Sequence, residues 1–206
     1  MRYMLLLIAL FLQSSLLFSQ TAKKSDVRMV SEYASENTEI EDILFFEGIE
    51  YIKLSFSGAD LANKGYHLTV KEIWDGQIKS DSTIVNSKKI PIKELQTIND
   101  TILDLRIISK LTLENELKMS FKFPRFAVNK EFKAIKSNDY SLRNVAEAGK
   151  AGINYGEKFY LLAYILPYEK DGNKYYCAVE SSGENIENWG KEFGIKHYLV
   201  FEMMFE

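Results

Sequence analysis

The chain has 206 residues, of which 46% are hydrophobic and 13% aromatic, and its formal charge at pH 7 is −3. That length is enough for one domain with its own hydrophobic core. The mild, well-mixed charge gives no electrostatic case for binding nucleic acid or an anionic membrane, and the single cysteine, Cys177, excludes an intramolecular disulfide.

Residues 1–20 have the layout of a secretory signal peptide. Arg2 provides a basic start, an apolar run extends from Leu5 to Phe18, and Ser19-Gln20 forms a polar exit. The run is too short to cross a bilayer, which takes about 20 residues. The sequence therefore predicts an exported protein of the periplasm, the outer-membrane surface or the medium, with no transmembrane span in the mature chain. An uncleaved anchor is the alternative.

Residues 21–40 form a polar segment between the signal peptide and the rest of the chain. Their composition predicts a flexible tether. The alternative is an edge strand that uses Val27, Met29 and Tyr33. The remaining residues, 41–206, are predicted to form a single domain.

Alternation of apolar and polar residues is the main structural signal in this domain. The predicted strands cover residues 49–58, 66–74, 103–113, 117–123, 159–166, 175–179 and 198–205. The dipeptide Asp75-Gly76 predicts a two-residue hairpin turn, and residues 114–116 and 170–173 predict two further connections.

Helical periodicity is weak, and it predicts only short helices at residues 139–150 and 184–193. Many short strands without a long helix are typical of two packed antiparallel sheets. The predicted fold is therefore mainly β: an antiparallel β-sandwich with one or two short helices.

Sequence motifs for catalysis, cofactors or metals are absent. The two histidines, His67 and His197, have no metal-binding spacing, and the chain contains neither a G-x-S-x-G elbow nor a glycine-rich phosphate loop. Cys177 falls on the apolar side of its predicted strand, which favours a buried thiol over a reactive one. We predict no catalytic residue, no cofactor and no metal site.

The two tryptophans provide the only candidate binding site. Trp74 precedes the Asp75-Gly76 turn, and Trp189 lies in a polar stretch with Glu184, Glu187 and Asn188. An exposed indole beside carboxylate and amide groups can stack on a sugar and hydrogen-bond to its hydroxyls. The alternative is that Trp189 fills the open end of the sandwich.

The chain resembles small exported β-sandwich proteins of unknown function from the envelope of some Gram-negative bacteria. The likeness depends on the size of the chain, the exit at residues 17–20 and the segment from Phe56-Ser57-Gly58 to Trp74-Asp75-Gly76. This resemblance implies no activity. We expect a non-enzymatic binding or interaction module of the cell envelope, whose partner is a glycan or another envelope protein. The alternatives are an assembly subunit that uses strand addition and a hydrolase of polysaccharide or peptide whose carboxylates come from loops. The oligomeric state stays open.

Overall fold

The computed structural model describes residues 26–146, 152–176 and 185–206. Its helices are α1 (Thr38–Phe46) and α2 (Trp189–Phe193). Its strands are β1 (Arg28–Tyr33), β2 (Ile49–Ser57), β3 (Tyr66–Trp74), β4 (Gln77–Asn86), β5 (Ile102–Leu111), β6 (Glu116–Lys122), β7 (Ala127–Lys133), β8 (Ser141–Asn144), β9 (Phe159–Ile165), β10 (Tyr168–Lys170), β11 (Asn173–Tyr175) and β12 (His197–Phe205).

Ten of these strands form two five-stranded antiparallel sheets that pack face to face. The first sheet has the order β1-β2-β5-β6-β7, and the second has the order β4-β3-β12-β9-β8. Strands β10 and β11 form a separate hairpin. The predicted mainly-β sandwich with short helices is confirmed.

The core between the sheets consists of the apolar positions that alternate along the strands. In β2 these positions are Ile52, Leu54 and Phe56, all fully buried, while Lys53 and Ser55 between them are only half-buried. Strands β5 and β6 follow the same rule, and Phe201 of β12 packs on Phe121 with ring centroids 5.5 Å apart. Period-two alternation thus places one side of each strand in the core, as expected for a sandwich.

The second sheet is covered on its outer face as well. Strand β12 is buried at every position except Met204, and residues 161–165 of β9 are all buried. The outward-facing side chains belong to a second apolar cluster, in which Tyr198 and Val200 pack with Trp189 of α2. The sequence of β9, apolar on both faces, reflects this double cover.

The predicted Asp75-Gly76 turn joins β3 to β4. Both residues have positive φ, 48° and 70°, as the favoured two-residue hairpin turn requires. A Cβ on the neighbouring Gly190 would lie only 2.6 Å from the Cα of Gly76. The turn therefore packs directly on the backbone of α2, and a side chain at Gly190 would separate the two.

The helix predicted over residues 139–150 is wrong. Residues Ser141–Asn144 form β8, which pairs with β9 at the edge of the second sheet, and residues 147–150 lie outside the described residues. Tyr140 and Leu142 are both buried at alternating positions. Pairing with β9 and burial of these side chains outweigh the weak helical preference of the segment.

The N-terminal segment contains more structure than a tether. Residues Arg28–Tyr33 are strand β1, the edge strand that the alternative predicted, and α1 follows without having been predicted. Strand β5 ends at Leu111, so Leu113, expected in the strand, lies in the turn and is 99% exposed. Helix α1 and the turn after β5 both place exposed apolar residues at one end of the sandwich.

Candidate functional site

Trp189 is a core residue in this structure. Its side chain is 1% exposed and packs within the second apolar cluster beneath α2. The hydroxyl of Tyr198 donates to the carbonyl of Ile186 at 2.9 Å and accepts from the Gly190 N–H at 3.1 Å, which fixes α2 on the sheet. The indole face is therefore closed to a sugar, and filling the sandwich is the alternative that the structure supports.

Trp74 is half-buried at the end of β3 and faces His197 across the strand pair. Their ring centroids are 4.0 Å apart. The structure places the Trp74 turn beside α2 through the Gly76–Gly190 contact, yet the two indoles do not form a common aromatic platform.

Glu187 belongs to a charged network on the outer face of the second sheet. It accepts from Lys71 at 2.5 Å and from the Tyr160 hydroxyl at 3.0 Å. Lys71 also donates to Glu202 at 3.0 Å, and Glu202 accepts from Lys158 at 3.0 Å. Each carboxylate is paired, so this network fastens the α2 segment to the sheet.

The pKa values of the network reflect this pairing. Burial opposes the charge of Lys71, but its hydrogen bonds to Glu187 and Glu202 outweigh burial and raise its pKa. Burial also opposes the charge of Glu202, while Lys71 and Lys158 lower its pKa overall. Both groups stay ionised near neutral pH and engaged with each other. Neither is poised to exchange a proton with a substrate.

The other two predicted site residues are Asn188 and Glu184. Asn188 is exposed and its amide donates to the side chain of Asn185. Glu184 lies outside the described residues, as does Cys177. Around Trp189 the described residues thus form a packing cluster, and a sugar site at these residues stays a prediction.

A cavity lies between the two sheets beside α1, at the end of the sandwich where Tyr140 contacts His197. We call it the end cavity. Its volume is about 550 Å³, within the range typical of small-molecule sites. Its floor contains Glu50, Tyr140 and Tyr164, and its mouth is lined by residues of α1, the β5–β6 turn and the 136–138 loop.

Glu50 occupies the first inward-facing position of β2 and joins the two sheets. Its carboxylate accepts from the Leu142 N–H at 2.8 Å and from the Ser141 hydroxyl at 3.1 Å. Burial raises its pKa despite these bonds and one from Tyr164. In turn, burial and the nearby Glu50 raise the pKa of Tyr164.

Tyr140 forms the other part of the floor. Its hydroxyl accepts from the Ile135 N–H at 3.1 Å and shares a hydrogen bond with Nδ1 of His197, 2.5 Å away. Burial raises the pKa of Tyr140 to about 12 and lowers that of His197 to about 4. Both groups are neutral at pH 7. Apart from Nε2 of His197, the polar groups described for the floor are hydrogen-bonded to one another, which suits a rigid binding surface better than proton transfer.

Exposed apolar side chains line part of the mouth of the end cavity. Phe45 is 89% exposed, Phe46 is 85% exposed, and Leu113 stands opposite them on the β5–β6 turn. Helix α1 has no buried residue, and its Ile40 and Ile43 are exposed as well. We call Ile40, Ile43, Phe45, Phe46 and Leu113 the apolar patch. Isolated exposed apolar residues are ordinary, but several of them on one nine-residue helix beside a cavity favour an interaction surface.

Sequence reasoning missed this site, although a signal was present. Asn37 precedes Ile40, Ile43 and Leu44 at helical spacing, and its side chain caps α1 by accepting from the Ile40 N–H at 3.1 Å. This is the N-cap signature of a helix start. The cavity itself could not be read from the sequence, because Glu50, Tyr140 and Tyr164 come from three distant strands and loops.

Comparison with known protein families, curated proteins and solved structures found no match. Within the described residues, no helix is long and apolar enough to cross a membrane. The same residues hold no group of three His, Cys, Asp or Glu side chains placed to bind a metal ion. The functional argument therefore depends on the geometry of the end cavity and the apolar patch.

Proposed function

We propose that this chain is a non-enzymatic interaction module, exported to the cell envelope, that binds another envelope protein through the apolar patch and the end cavity. The observation that carries the proposal is the exposure of Phe45 and Phe46 on a helix with no buried residue. Burying one such side chain is worth about 1.5–3 kcal/mol. A folded domain that leaves several of them in water beside a cavity has a surface suited to a partner.

A protein partner fits this surface better than a glycan does. Trp189, the residue on which a sugar site would depend, is buried. The apolar patch offers two phenylalanines, two isoleucines and a leucine. Aromatic and aliphatic side chains around a pocket are the usual centre of a protein–protein interface.

In-cell photo-crosslinking tests the proposal. The photoreactive amino acid p-benzoylphenylalanine replaces Phe46 in the native cell, and a matched probe replaces Ile78, an exposed isoleucine of β4 outside the patch. We expect a discrete adduct from position 46 and none from position 78. Equal adducts from both positions, or none from position 46, would contradict a dedicated surface.

A second candidate function is assembly by strand addition. It is supported by β1, an edge strand at the N-terminal end of the described chain whose Val30 is 58% exposed. An unpaired strand edge is a template for another strand. Sedimentation of the protein and of a Val30→Lys variant tests this candidate. Oligomers that dissociate in the Val30→Lys variant would support strand addition. A monomer in both cases would contradict it.

A further inference from the structure

The chain segment that contains α1 has charge of one sign, although Lys136 lines the cavity mouth opposite it. Between residues 32 and 47 the chain has six acidic side chains and no lysine or arginine. All six are exposed. They are Glu32, Glu36, Glu39, Glu41, Asp42 and Glu47.

Two of these six carboxylates have a cationic neighbour. Glu32 pairs with Lys53 at 3.6 Å, and Glu47 pairs with Lys110 at 2.7 Å. Among the described residues the other four have no ion pair, and they surround the N-terminal half of α1. Glu39 and Glu41 in the first turn also favour the helix dipole, but Glu36 and Asp42 are outside that turn. The exposed apolar side chains of α1 thus lie beside carboxylates that have no ion pair among the described residues.

We propose that the occupant of the apolar patch is a cationic amphipathic segment of a partner protein, with apolar side chains for Phe45 and Phe46 and Lys or Arg for the acidic half of α1. This inference rests on the proposed function and specifies the chemistry of its partner. At 1.5 Å per helical residue, Glu39 and Phe46 are about 10 Å apart along the helix axis, and Asp42 directly precedes Ile43. The partner therefore carries its positive charges close to its apolar contact.

Charge complementarity distinguishes this occupant from two others. A second copy of the chain presenting the same patch would bring like charges together, which weakens an isologous dimer. An anionic membrane surface would be repelled by the same carboxylates. A cationic segment instead gains both attraction and burial, the combination found when basic amphipathic helices enter acidic apolar grooves.

Binding of designed peptides to the purified protein tests the inference. The probe is an 18-residue amphipathic helix with leucine and phenylalanine on one face and lysine on the other, and its partner has every lysine replaced by glutamate. We expect the lysine peptide to bind at least tenfold more tightly by fluorescence anisotropy. Raising NaCl from about 50 to about 500 mM should remove most of that preference, since exposed charges are screened.

Two variants locate the contact. We expect Phe45→Ser/Phe46→Ser to weaken lysine-peptide binding at least tenfold, because an apolar contact is lost. Replacing the four unpaired acids by amides should weaken it at least tenfold at low salt. The matched controls, which should bind normally, are Ile78→Ser/Ile92→Ser and the amide variants of the exposed acids Asp81, Glu94, Glu131 and Glu192. All these side chains are exposed, so urea unfolding should verify unchanged folding.

The outcomes separate this inference from the function on which it rests. Equal binding of the two peptides, or equal losses in the control variants, would overturn the cationic partner. Tighter binding to phosphatidylglycerol vesicles than to the lysine peptide would replace it with a membrane surface, and a dimer abolished by Phe45→Ser/Phe46→Ser would replace it with a second copy. If position 46 still yields a specific adduct in the cell, the interaction module stands and only the partner's charge is wrong.

Discussion

Acidification should destabilise this protein through one buried side chain, His197. The ring is fully buried, and its Nδ1 shares a hydrogen bond with the Tyr140 hydroxyl. Its Nε2 has no hydrogen-bond partner among the described residues. Protonation would add a second N–H and a charge to a site where the residues that the structure describes provide no carboxylate partner.

The size of the effect follows from the pKa of His197 in the two states. Burial lowers the pKa from 6.5 to about 4 in the folded protein. Between these values the unfolded chain binds more protons, so stability falls as pH falls. The loss begins near pH 6.5 and is complete below about pH 4, and the difference between the two pKa values corresponds to about 3 kcal/mol.

Urea unfolding, followed by tryptophan fluorescence at several pH values from 7.5 to 4, measures this loss. The comparison is between the unmodified protein and His197→Phe, because carboxylates titrate equally in both. The phenylalanine variant loses the hydrogen bond to the Tyr140 hydroxyl, a constant cost of about 1 kcal/mol. We expect the free-energy difference between the two proteins to shift by about 3 kcal/mol across this range in favour of His197→Phe. Parallel pH profiles would refute the reasoning.

Three further substitutions test the packing and the floor of the end cavity. Trp189→Ala should lower the free energy of unfolding by about 3–5 kcal/mol, and Trp74→Ala, at a half-buried position, should lower it by clearly less in the same urea titration. Gly190→Ala should destabilise by about 1–3 kcal/mol because its Cβ would meet the β3–β4 turn, while Gly152→Ala, with open space around it, should leave the melting temperature unchanged. Glu50→Gln should gain stability relative to the unmodified protein as pH rises above 4.5, since the raised pKa means that ionisation of Glu50 opposes folding. A difference in the free energy of unfolding that stays constant from pH 4 to pH 7 would contradict the burial of a charged carboxylate.

Strand positions were the most predictable part of this protein. Leu103, Leu105 and Ile107 show the alternation that a half-buried strand requires, and the structure buries all three. The Asp75-Gly76 turn was equally readable, because only a few residues tolerate the positive φ values that this hairpin needs. Both features depend on near neighbours in the sequence.

Helix α1 and strand β8 were not predicted for different reasons. The signal for α1 was local, an Asn37 cap followed by spaced isoleucines, but a nine-residue helix is a weak pattern. Strand β8 is only four residues long and depends on β9 as its partner. Its state is decided by a pairing about twenty residues away.

The sequence alone determined the mainly-β fold class, the turn at Asp75-Gly76 and the scarcity of recognisable catalytic groups, because periodicity, turn chemistry and residue counts are local properties. Only the tertiary structure decided that Trp189 is buried while Phe45 and Phe46 are exposed. It also brought Glu50 and Tyr164 together at the floor of one cavity. Burial depends on which surfaces meet after the sheets pack. Composition therefore cannot show whether an aromatic side chain fills the core or remains exposed at the surface.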